Sequence, residues 1–141
     1  MKLKMNNSKS IFDGKICPYC NRDSVFVDSV EVYGSSYGMI YLCRPCKAWV
    51  GVHKGTKSAL GRLANEELRE AKKKAHLYFD KLWNAKIARG TKKGIARTNA
   101  YRWLSNELGI SRVETHIGWF DVDVCKKVVE LCKPIVDKLK L

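Results

Sequence analysis

The apolar positions change period part-way along the chain, and the change divides it into a β-rich part and a helical part. Residues 24–33, Ser-Val-Phe-Val-Asp-Ser-Val-Glu-Val-Tyr, are β-branched and aromatic, with alternation clearest from Asp28 onward. They are predicted as a strand. The glycines and serines of 34–38 predict a turn. Residues 39–42 predict a second strand running into Cys43, and 48–53 a third. Past residue 64 the period lengthens. Leu68, Ala71, Ala75, Tyr78, Phe79 and Leu82 recur at helical spacing with Trp83 beside them, predicting a helix over 65–86 whose stripe is core. Asn65 is a suitable N-cap, and Glu66 and Glu67 suit the positive end of the helix dipole. Ala100, Tyr101, Leu104 and Leu108 predict a second helix over 98–108, closed by Gly109 with apolar Ile110 after it. Asp121 is placed as the cap of a third helix, with Cys125, Val128, Val129 and Cys132 on one face. Pro134 is expected to interrupt that helix, leaving 135–141 as a last turn or a tail.

The chemistry sits in the β-rich part. Cys17-Pro18-Tyr19-Cys20 and Cys43-Arg44-Pro45-Cys46 are two Cys-x-x-Cys loops with 22 residues between them. Each turn aims two sulfurs at one point, and a hairpin that brings the turns together completes a tetrahedral four-thiolate shell. That is the donor set of one structural Zn2+, with Cys17, Cys20, Cys43 and Cys46 as ligands. Pro18 and Pro45 fix φ in the knuckles. A thioredoxin-type redox pair would open a helix, which neither pair does. A disulfide framework belongs to secreted chains, and the Lys- and Asn-rich start of the sequence has no apolar core of a signal peptide. The order knuckle, hairpin, knuckle, strand is that of a zinc ribbon. A treble clef would place a helix directly after Cys46, where 49–52 reads as strand. Cys125 and Cys132, seven apart on one helix, stand ~10 Å apart along its axis, too far for a disulfide, and are read as small core residues.

These readings predict an α+β fold: a zinc-ribbon-like β-hairpin module followed by about three α-helices. Residues 1–12 are expected to be a flexible basic arm, 13–55 the zinc-ribbon-like module, and 56–141 a helical part packed on it as one compact unit. The chain has 141 residues and is 45% hydrophobic, enough for a core of that size. No apolar run reaches the ~18 residues of a membrane span, so no membrane partner is expected, and six cysteines without a secretion signal imply a reducing, cytoplasmic compartment.

Charge adds a partner. Lys and Arg number 27 against 14 Asp and Glu, a formal charge of +13, and such an excess points to a polyanion, nucleic acid above all. From Lys81 to Asn106 there are seven basic residues and no acid. Residues 84–97 are read as a flexible, glycine-containing connector that presents Lys86, Arg89, Lys92, Lys93 and Arg97 to phosphates, with Arg102 on the next helix and Lys72 and Lys73 on the first. Trp103, off the apolar stripe beside Arg102, is a candidate for stacking on a base or for packing on the zinc module. Lys54-Gly55-Thr56-Lys57 lacks the spacing of a P-loop and reads as a surface loop.

Several strings resemble one family. They are Cys17-Pro18-Tyr19-Cys20, Cys43-Arg44-Pro45-Cys46, Gly51-Val52-His53-Lys54-Gly55-Thr56, the stretch 60–69, Ala75-His76-Leu77-Tyr78-Phe79-Asp80-Lys81-Leu82-Trp83, the stretch 100–104, and His116-Ile117-Gly118-Trp119-Phe120-Asp121. Over about residues 15–133 the chain is similar to a family of small zinc-finger-containing proteins of unknown function, found mainly in bacteriophages and prophages. Lys81 stands where that family has proline. The resemblance implies a zinc finger at the four cysteines and a phage or bacterial origin, hence a bacterial host cytoplasm, and no established activity.

All three histidines fall in these strings. His53, His76, Asp80 and His116, if they converged, would be raw material for a hydrolase or nuclease. Against that, Asp121 already serves as an N-cap, His76 and Asp80 form an ordinary i,i+4 pair, His53 ends a strand, and no HNH, paired-carboxylate-plus-lysine or His-Glu-x-x-His pattern is present. Three functions follow: a zinc-binding accessory protein that binds DNA or RNA, a phage factor that binds a host protein, and a His/Asp-based hydrolase. The first explains the charge.

Overall fold

The computed structural model describes residues 9–139. Its elements in order are α1 (Lys9–Phe12), β1 (Val25–Asp28), α2 (Val30–Tyr33), β2 (Met39–Cys43), β3 (Ala48–Gly51), α3 (Glu66–Ala88), α4 (Lys93–Leu108), a 3-10 turn (Ile117–Trp119) and α5 (Val122–Leu139). The architecture is α+β, with a three-stranded antiparallel sheet ahead of the long helices. The described chain forms two compact units, one ending at Arg69 and one beginning at Glu70. Of the expected basic arm, residues 1–8 lie outside the described residues, and Lys9–Phe12 form one helical turn with Ile11 buried.

In the first unit the sheet has the order β1-β2-β3, with Phe26 opposite Tyr41 and Tyr41 opposite Val50. The Phe26 and Tyr41 rings lie 4.9 Å apart. The segment after β3 turns back along it: Ala64 and Trp49 exchange backbone hydrogen bonds, and the Leu60 N–H donates to Gly51. Gly14 sits under this sheet at φ +77°. A Cβ there would come within 2.9 Å of Ala59 Cβ and 3.1 Å of the Tyr41 ring, so both the conformation and the space call for glycine. Cys17, Tyr41, Cys43, Ala48, Val50 and Leu63 make the core, so two of the four knuckle cysteines lie at its centre.

The predicted strand over 24–33 is shorter than expected. It stops at Asp28, and Val30–Tyr33 form a helical turn. The cause is local polar bonding that period counting does not register. Asp28 Oδ1 accepts from the Val30 N–H at 2.8 Å, buried Ser29 Oγ accepts from the Tyr37 N–H at 2.7 Å, and Gly34 ends the turn at φ +77°.

The long helix α3 begins where the sequence placed it: Asn65 Oδ1 accepts from the Leu68 N–H at 3.0 Å. In the second unit Ala75 and Phe79 are fully buried and Leu82 is half-buried. The Phe79 and Tyr101 rings pack 4.7 Å apart. Gly109 takes φ +70°, and the Ile110 N–H reaches the Ser105 carbonyl, the bond of a Schellman stop. Asp121 Oδ1 caps α5 at the Val124 N–H, and Cys125 and Cys132 are wholly buried.

Two expectations are corrected here. The connector over 84–97 is only the residues from Arg89 to Lys92, because α3 continues to Ala88 and α4 starts at Lys93. Gly94 falls in the first turn of α4, where a glycine does not break a helix. The expected break at Pro134 does not occur, and α5 continues to Leu139. Pro134 is on an exposed face, so the Glu130 carbonyl deprived of its partner can be satisfied by water.

Candidate metal centre and basic surface

The two knuckles are built alike. In the first, the Asn21 N–H donates to the Cys17 carbonyl at 2.8 Å and the Cys17 N–H to the Arg22 carbonyl at 2.9 Å. In the second, the Lys47 N–H donates to the Arg44 carbonyl at 3.2 Å. The residue after the second cysteine of each loop is left-handed, Asn21 at φ +62° and Lys47 at φ +51°. Asparagine tolerates that region, and lysine pays a steric cost of roughly 1–2 kcal/mol. Lys47 is exposed, so Lys47→Gly is expected to raise stability by about 0.5–1 kcal/mol after the extra chain entropy of glycine is subtracted. A thermal melt shows this as a midpoint a few degrees higher. A lower midpoint would mean that the lysine side chain outweighs its backbone strain.

The four sulfurs all lie within 4.8 Å of one another, and Cys20 Sγ and Cys43 Sγ are 3.7 Å apart. A tetrahedral zinc with bonds of ~2.3 Å spaces its sulfurs by ~3.8 Å. The donor set therefore fits one zinc ion, and the expected ligand set is the one that the fold gathers. Four thiolates would close the coordination shell and leave no open position, so the ion's role there is structural.

The thiols are unequal. Cys20 is lowered to about 7, chiefly by the Arg22 N–H donating to it and then by the neighbouring thiols. Cys17 is raised by burial, against the pull of the Tyr19 and Cys20 N–H groups. Cys46 is pushed up to about 12, first by its hydrogen bond to Cys20 and then by burial. Crowded sulfurs cannot all ionise alone, and a divalent cation removes that conflict. Beside the site, Arg44 of the second knuckle grips Glu31 of α2 with two hydrogen bonds, 2.5 and 2.8 Å, which steadies the knuckle.

Residues 13–135 match a zinc-finger-containing domain family. The chain belongs to that family. The match spans both units, so this zinc-finger domain includes the helices as well as the four-cysteine module. No curated protein and no solved structure matches the chain.

The remaining candidates lie mostly in the helical unit. From Glu70 onward the sequence has 16 basic residues and 8 acidic ones. Lys86 is in the last turn of α3, Arg89 and Lys92 are in the short loop, and Lys93, Arg97 and Arg102 are on α4; all six are exposed. Among the described residues none of the six pairs with a carboxylate. Lys73 is also exposed, 3.3 Å from Glu70, and Lys72 is half-buried. Lys92 is the N-cap of α4 but makes no side-chain cap, and the first turn of the helix holds no acid. Trp103 is half-buried and lines a cleft with Trp83, a residue read from the sequence only as lying beside the α3 stripe.

Among the described residues the histidines do not join a group that could share a metal, although Arg97 acts on both His76 and His116. Among the described residues the four cysteines make up every group of three or more His, Cys, Asp or Glu side chains near enough to share a metal. Asp80 Oδ1 accepts the Trp83 indole N–H at 2.9 Å. His76 and His116 are exposed, yet partial desolvation lowers both. Lys72 and Arg97 add to this at His76 against Asp80, and Arg112 and Arg97 add to it at His116. His116 packs its ring 4.9 Å from Trp119. His53 belongs to the first unit, where its carbonyl accepts the Thr56 hydroxyl at 2.8 Å.

A third feature had no signal in the sequence. Tyr37, Tyr33 and Trp49 form an edge-to-face series with ring centroids 5.7 and 5.9 Å apart, and Arg69 lies 3.8 Å from the Trp49 ring. Residues from a turn, a helical turn, a strand and α3 meet there, which periodicity within one element cannot reveal.

No helix among the described residues is long and apolar enough to cross a membrane.

Proposed function

We propose that the chain is a zinc-binding accessory protein that binds nucleic acid, with the phosphate-contacting surface on its helical unit. The observation that carries this reading is the acid-free basic set at the end of α3 and the start of α4. Six cationic side chains within 17 residues are exposed and lack carboxylate partners among the described residues. Lys92 and Lys93 also sit at the positive end of the α4 dipole, an arrangement unfavourable until an anion arrives. Lys93 and Arg97 are one helical turn apart and present their charge to the same side of α4. The zinc module supplies a metal-held scaffold. The sequence resemblance supports a phage-encoded protein at work in the bacterial cytoplasm.

A protein partner is the second reading, and exposed aromatics in the zinc module favour it. Tyr37 is 78% and Tyr33 53% exposed, and the two rings adjoin one another and Trp49 as a single aromatic patch.

Fluorescence anisotropy with labelled duplex and single-stranded oligonucleotides tests the first reading. Replacing Lys92, Lys93 and Arg97 by Ala is expected to weaken binding by similar factors on unrelated sequences, because phosphate contacts carry no sequence information. Unchanged affinity would move the interface elsewhere on the protein. No binding by the wild type at low salt would favour the protein partner.

A further inference from the structure

Charge alone does not account for the cleft in the helical unit. Its volume is about 360 Å³, and Trp83 and Lys86 of α3, Arg89 of the loop, Asn99 and Trp103 of α4 and Ile135 of α5 line it. That size is at the lower end of the ~300–1,000 Å³ of small-molecule sites. We propose that it receives one nucleobase of an unpaired strand, with Lys86 and Arg89 on the adjoining phosphate. This rests on the nucleic-acid reading above and narrows it to single strands.

Three observations support the assignment. The indoles of Trp83 and Trp103 both line the cleft without stacking on one another among the described residues; the Lys93 ammonium lies 5.9 Å from the Trp83 ring, whereas Trp103 makes no ring or cation contact among the described residues and has its π surface to offer a base. The Trp83 ring is oriented by its N–H bond to Asp80, at 2.9 Å. The Asn99 side-chain amide makes no hydrogen bond among the described residues and carries both donor and acceptor, the complement of a base edge. At the rim, Lys86 and Arg89 are exposed cations without carboxylate partners among the described residues. A duplex keeps its bases stacked and paired and cannot place one in such a cleft; a single strand can.

The test titrates the zinc-loaded full-length protein with a labelled oligothymidine and with a duplex of equal length. Trp103→Ala is expected to weaken single-strand binding by about 5- to 150-fold, the equivalent of one stacked base, and to leave duplex binding within about twofold. Trp103→Phe is expected to restore most of the loss, and single strands to quench tryptophan emission in the wild type. Asn99→Ala is expected to alter the order of affinities among the four homopolymers. If Trp103→Ala impairs folding, the Trp103→Phe quenching amplitude and the Asn99→Ala ranking decide. Equal effects of Trp103→Ala on both nucleic acids, or none, with the Lys92, Lys93, Arg97 triple replacement still weakening both, would overturn the cleft assignment alone. Absence of wild-type binding to either nucleic acid would overturn the underlying reading. Quenching by an acidic aromatic peptide and not by any strand would assign the cleft to a protein partner.

Discussion

Replacing Cys43 with serine is expected to abolish zinc binding and to unfold β1, β2 and β3. Cys43 is buried and ends β2, and it pairs across the sheet with Ala48 in the centre of the core. The strands are four or five residues long, too short for their own packing to hold them. Zinc binding to small four-ligand modules is worth ~10–16 kcal/mol at neutral pH, comparable to or larger than the stability of a whole domain. Serine removes one ligand and leaves a buried hydroxyl among thiols. The expected readouts are one zinc per wild-type chain and none in the variant, with loss of amide protection across the sheet. Protection in α4 and α5 is expected to persist, because Leu104, Leu108, Val128 and Cys132 are buried within the unit that begins at Glu70. Acid should act in the same direction: protons compete with the metal for the thiolates, so zinc is released as the pH falls. Wild-type protein purified without chelator and free of zinc would contradict this.

Phe79→Ala is expected to cost roughly 3–5 kcal/mol. The ring is fully buried and packs on Tyr101, whose own ring lies 5.1 Å from the Arg97 guanidinium and 4.7 Å from that of Arg112. Truncation removes the apolar burial and leaves a cavity between α3 and α4 that stiff neighbours fill only in part. It also loosens the support under Arg97, so, on the proposed nucleic-acid reading, weaker binding should accompany the lower stability. Thermal and denaturant melts measure the first effect, with a midpoint lower by roughly 10–20 °C. A loss below about 1 kcal/mol would contradict the burial of that ring.

Much of this was legible in the chain, for physical reasons that differ by element. The metal centre was legible because Cys-x-x-Cys geometry is set by a few consecutive residues. The start of α3 and the start of α5 were legible because an Asn or Asp cap acts within three residues. Val30–Tyr33 was not, because its alternation suits a strand while Asp28 and Ser29 bend the backbone first. The start of α4 was hidden by Gly90 and Gly94, which read as a flexible linker, although only Gly90, at φ +102°, takes a conformation that needs glycine. Trp83 read as core because the α3 stripe runs beside it; its place on a cleft depends on α4 and α5. The strain at Lys47 was invisible because nothing in the sequence marks a lysine at positive φ.

The most direct test of the proposed nucleic-acid surface is the salt dependence of binding. Association constants for the wild type and for the Lys92, Lys93, Arg97 triple variant, measured by anisotropy across a salt series, give two log-log slopes. Neutralising a phosphate releases counterions, so the variant's slope is expected to be shallower by up to about 0.9 for each phosphate it no longer neutralises on duplex, or ~0.7 on single strands. A triple variant that keeps the wild-type slope would contradict the assignment of the phosphate-binding surface to the junction of α3 and α4.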